Sequence, residues 1–64
     1  MDQELHYFDI SFRRTARGPV GVARRPDMDA VIQWLQENEG RLNMVLIMAM
    51  PGEIPNLPDK ESII

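Results

Sequence analysis

The chain has 64 residues, a net charge of −3, no cysteine and a single histidine. That length allows one domain with a thin core, and the missing cysteines exclude disulfides and thiolate zinc sites as staples. With His6 as the lone imidazole a histidine metal cage is excluded too, which leaves oligomerisation or binding to a partner as the means of adding stability.

The opening residues, Met1-Asp2-Gln3-Glu4, are acidic and show neither the basic start nor the apolar core of a signal peptide. No apolar run approaches the length that spans a bilayer, so cytoplasmic residence and no membrane partner are expected. Charge is segregated along the chain. From Ile10 to Arg25 there are five arginines (Arg13, Arg14, Arg17, Arg24 and Arg25) and no acid. From Pro26 onward seven acids face Arg41 and Lys60, a balance of −5. A positive end on a negative body bears on steering and partners rather than on fold.

Leu5 to Arg13 reads as a strand, with His6, Phe8, Ile10 and Phe12 on an apolar face and Tyr7, Asp9, Ser11 and Arg13 on a solvated one. Arg14 to Pro19 carries turn chemistry, with Gly18 available for a positive φ. Val20 to Arg24 resumes a short strand, Val20 and Val22 inward, Gly21 and Ala23 outward. The two strands form an antiparallel hairpin with arginines gathered at both of its ends.

Pro26-Asp27 starts a helix, Asp27 as the cap and Asp29 as a negative charge at the positive end of the dipole. Met28, Val31, Ile32 and Leu35 recur at helical spacing and draw one apolar stripe, with Trp34 at its edge. Gly40 ends the helix at a position that favours a left-handed residue.

Leu42 to Met50 is the third strand, and its core, Met44 to Met50, is apolar without a break. A strand with one wet face alternates; this one does not, so both faces need cover. Leu42, Met44, Leu46, Met48 and Met50 share one face, and Asn43, Val45, Ile47 and Ala49 the other. Pro51-Gly52 closes the strand. The remainder has prolines at 55 and 58 and no period, and reads as an extended arm, partly disordered beyond Pro58.

The fold class is therefore α+β: a three-stranded sheet with one helix on one face, in β-β-α-β order, over residues 1–52, with a Pro-rich arm over 53–64. One helix covers one face of such a sheet. The other face of the third strand needs the arm (Ile54 and Leu57), a twin subunit or another protein.

Five features bear on function. The arginines pair readily with carboxylate or phosphate, and a β-ribbon carrying them fits a nucleic-acid groove, but the chain as a whole is acidic and lacks a stacking platform. Gly18-Pro19-Val20-Gly21 spells the GxxG of a backbone-clamping loop, yet strands flank it and Pro19 removes an amide. Asp27 and Asp29 suit a helix start better than a metal pair. No nucleophile can be tied to His6 by spacing, so no catalytic set and no cofactor is expected. Met44, Met48 and Met50 suit an adaptable contact surface.

The leading expectation is a non-enzymatic protein-binding regulator or inhibitor, homodimeric through the third strand. Arg13, Arg14, Arg17, Arg24 and Arg25 would dock on an acidic partner surface, and Val45 and Ile47 belong to the apolar anchor. In size and organisation, though in no motif, it is similar to small phage-encoded proteins that bind a host enzyme. A nucleic-acid-binding regulator using the same hairpin is the second reading. An assembly accessory acting by strand addition is the third.

Overall fold

A computed structural model describes residues 6–56 together with the backbone of 60–61. Its elements are strand β1 (His6–Arg13), strand β2 (Val20–Arg25), helix α1 (Met28–Glu37), strand β3 (Met44–Pro51) and a two-residue strand β4 (Lys60–Glu61). The sheet runs β3-β1-β2-β4, with β2 and β3 each antiparallel to the central β1. The α+β class and the β-β-α-β order are those expected. Strand β4 pairs with β2 through Gly21 and Val22, an edge pairing that the proline spacing of the arm did not announce. Leu57 and the residues beyond Glu61 lie outside the described residues, and with them part of the proposed cover for β3.

The strongest local determinant is the helix start. Asp27 is extended and its Oδ1 accepts a 2.9 Å hydrogen bond from the amide of Ala30, satisfying one of the orphan donors of the first turn. Asp27→Ala is expected to cost about 1 kcal/mol, read as a lower urea midpoint at unchanged slope. At the other end Asn38 caps the helix and Gly40 adopts φ +80°, the left-handed residue expected there. Gly18, by contrast, is not in the left-handed region. A Cβ there would lie 2.6 Å from Thr15 Oγ1, so a larger residue would require that exposed hydroxyl to turn away.

The core is Ile10, Phe12, Ala23, Val31 and Trp34, with Phe8, Leu35 and Leu42 packed against it. The register decides its composition. Ile10 sits opposite Ala23 and Phe12 opposite Gly21, so the small residues of β2 face the helix. This reverses the expected orientation of β2: Val20 and Val22 share the open face with Asp9, Ser11 and Arg13, and Val20 is exposed. The reason is volume. Gly21 leaves room above β2 that the ring of Phe12 occupies, and the indole of Trp34 packs 5.0 Å from that ring in the same core cluster as Ala23.

The helix is rotated accordingly. Trp34 moves from the edge of the stripe to its buried centre beside Val31, while Met28 and Ile32 are exposed. Tyr7, assigned by alternation to the solvated face, is buried as well.

Candidate interaction surface

Helix α1 packs on β1 and β2 and does not reach β3. Strand β3 is consequently exposed along nearly its whole length, on the helix side as well as on the open side. On the helix side Val45, Ile47 and Ala49 stand opposite Phe12, Ile10 and Phe8. On the open side Met44, Leu46, Met48 and Met50 stand opposite Arg13, Ser11, Asp9 and Tyr7. Met44, Val45, Leu46, Ile47 and Met48 all remain substantially exposed, Leu46 at 54%. The expectation that one face would be covered and the other bare is therefore corrected: both are partly exposed. Ten residues of helix, about 15 Å long, cover two strands and not a third.

The arm leaves β3 in that state. Ile54 is itself 39% exposed and lines a cleft with His6, Pro26 and Glu53, while Met44 to Met48 stay exposed. As the last strand on its side of the sheet, β3 also leaves its outer backbone edge unpaired among the described residues. It carries no charged residue over eight positions, and its one proline is the terminal Pro51. Edge strands usually carry charge, proline or a bulge that discourages pairing, and this one has none of these until its end.

The arginines do not form one patch. Asp9 and Arg24 are direct cross-strand neighbours on the open face, with Arg24 Nε donating to Asp9 Oδ1 at 2.8 Å. That hydrogen bond, first among the causes, raises the pKa of Arg24 above its ordinary value despite the opposing desolvation. Arg25 Nη1 donates to the carbonyl of Arg24 at 2.7 Å.

At the far end of the hairpin, Arg14 lies over the Phe12 ring at 5.0 Å, and its Nη1 donates to Asn38 Oδ1 at 3.0 Å. Asn38 in turn donates from Nδ2 to the carbonyl of Trp34. Arg14 thus seals the core and brings positive charge to the helix C-terminus, whose last turn has no basic residue of its own.

Arg13 is half-buried and folds back on the turn, Nη1 3.5 Å from the carbonyl of Ala16, with its Nε buried and unpartnered among the described residues. Arg17 is exposed and has no partner among the described residues. The five therefore divide into Arg13, Arg14 and Arg17 at the hairpin tip and Arg24 and Arg25 about four residues, or roughly 14 Å, down the ribbon.

Sequence reasoning located Val45, Ile47 and the methionine face correctly as strand positions. It missed Met28 and Ile32, which it placed in the core, and which are the exposed flank of the helix. The signal for them was the rotation of the stripe toward Trp34, which depends on the orientation of β2.

At the opposite end of the sheet from the hairpin tip, His6, Pro26, Glu53 and Ile54 line an open cleft of about 310 Å³. Among the described residues no group of three or more His, Cys, Asp or Glu is placed to hold a metal, and no helix is long and apolar enough to cross a membrane. No family model matches the chain, and neither the curated proteins nor the solved structures contain a match to it.

Proposed function

We propose that this chain is a non-enzymatic protein-binding regulator, an inhibitor of a larger enzyme or complex, that docks through the two apolar faces of β3. One observation carries the reading: Met44 to Met48 is an exposed, unbroken apolar run on both sides of a sheet. A contiguous exposed apolar patch of that kind marks an interaction site in small proteins. The methionines suit a contact surface that repacks against its partner. The positive end built by Arg13, Arg14 and Arg17 steers the encounter toward an acidic surface, which raises the association rate more than the affinity.

The hairpin supports a nucleic-acid partner less well. Arg24 is matched to Asp9, and the remaining arginines sit at opposite ends of the ribbon, so no continuous basic strip follows a phosphate backbone.

The test is affinity capture from cells that naturally contain the chain, comparing wild type with a Leu46→Asp, Met48→Lys double variant, in which the new ammonium stands opposite Asp9. Both positions lie on the open face, away from Ile10 and Phe12, so the fold is retained and Trp34 emission reports it. A protein held by wild type and lost from the variant is the expected result. Equal retention by both baits overturns the docking surface. Arg13→Glu with Arg17→Glu should slow capture and make it less sensitive to salt; a nucleic acid recovered in place of a protein overturns the partner class.

A further inference from the structure

The faces of β3 are one matter and its outer edge is another. We infer that the edge is occupied by a second copy of this chain, paired antiparallel about a two-fold axis at Ile47, which joins the two sheets into one. This inference stands apart from the docking reading, because edge pairing leaves both apolar faces open and doubles their extent.

Three observations lead to it. The first seven residues of the edge, Met44 to Met50, are uncharged and free of any device against pairing. A two-fold axis relating antiparallel neighbours is perpendicular to the sheet, so one residue must face its own copy and like faces meet. Centred on Ile47, Val45 meets Ala49 of the partner subunit, Leu46 meets the partner's Met48 and Met44 meets the partner's Met50. Every opposed pair is then apolar, and Pro51, which lacks an N–H, falls outside the matched stretch.

The third observation is charge. Arg41 lies six positions before Ile47 and Glu53 six positions after it, and both are exposed. The same axis therefore sets the Arg41 end of each strand against the Glu53 end of the other, twice per dimer. One strand inward, the arginine end also carries Arg13; across the sheet the Glu53 end carries Asp27 and Asp29 at the helix start together with Arg25, while Arg24 there is matched to Asp9, so that end stays acidic on balance. Glu39 is the acid nearest the arginine end. A parallel pairing would instead bring like ends together.

Because the chain has no cysteine, a single introduced one is an unambiguous probe. Residues directly opposite in an antiparallel pair have Cα atoms about 4.5–5.5 Å apart, inside the range of a disulfide. Ile47→Cys is therefore expected to cross-link into a dimer under mild oxidation. Met44→Cys, about 20 Å from its own copy in this register, should not. Random collision would favour neither, since Ile47 and Met44 are 38% and 36% exposed.

Sedimentation equilibrium of otherwise unmodified chains supplies the second arm. Arg41→Glu should weaken the dimer about tenfold, and adding Glu53→Arg should restore it. Both sites are exposed, so neither change threatens the fold. A wild-type chain that stays monomeric at every concentration overturns the inference and leaves the edge to a foreign strand. Equal cross-linking at both cysteines, or failure of the charge swap to restore association, overturns the register and the axis with it. A dimer that captures no other protein leaves this inference standing and removes only the docking reading.

Discussion

Replacing Phe12 with alanine is expected to leave the chain unfolded at room temperature. Phe12 is buried, packs its ring 5.0 Å from that of Trp34, and is roofed by the guanidinium of Arg14. Truncating a buried phenylalanine costs about 3–5 kcal/mol through lost transfer free energy and the cavity left behind. A core of this size holds about 3–5 kcal/mol in all, so nothing remains. Far-UV circular dichroism should lose its sheet and helix signals, and Trp34 emission should shift to the red. A cooperative urea transition with its midpoint unmoved would sink the assignment of Phe12 as the hub. Phe12→Leu keeps most of the volume and should retain the fold at reduced stability.

Gly21→Ala is expected to be the next most damaging change, although it adds one methyl group to a strand that tolerates alanine at position 23. A Cβ at Gly21 would lie 2.6 Å from Phe12 Cζ, well inside contact distance. The ring cannot swing clear, because Trp34 holds it on one side and Arg14 lies over its face. Overpacking of this kind costs about 1–3 kcal/mol, a large share of the total. The urea midpoint should fall, and in a Phe12→Leu background the same substitution should cost less, since the obstructing ring is gone. An identical cost in both backgrounds would show that the ring contact is not the cause.

These two changes also expose where sequence reasoning on this chain succeeds. The helix and its ends follow from chemistry that acts within a few residues: Asp27 accepts the Ala30 amide, and Gly40 takes the left-handed turn. The apolar face of β1 follows from a clear period of two, and Ile10 and Phe12 are both buried as that period requires. The orientation of β2 did not follow. Val-Gly-Val-Ala alternates just as cleanly in either sense, and apolar preference alone points the valines inward. The arginines stand at both ends of the hairpin as expected, but the match of Arg24 to Asp9 depends on the register of the two strands and was not legible in their spacing.

From the amino-acid order alone come the α+β class, the β-β-α-β succession, the helix boundaries and an apolar strand in want of cover, because each rests on local periodicity or capping. Tertiary structure alone decided which face of β2 meets the helix, and hence that Trp34 rather than Ile32 fills the core. It also decided that β3 stays partly exposed on both sides. The reason is spatial in each case: pairing register sets facing, and a helix about 15 Å long packed on β1 and β2 does not extend across the sheet to β3.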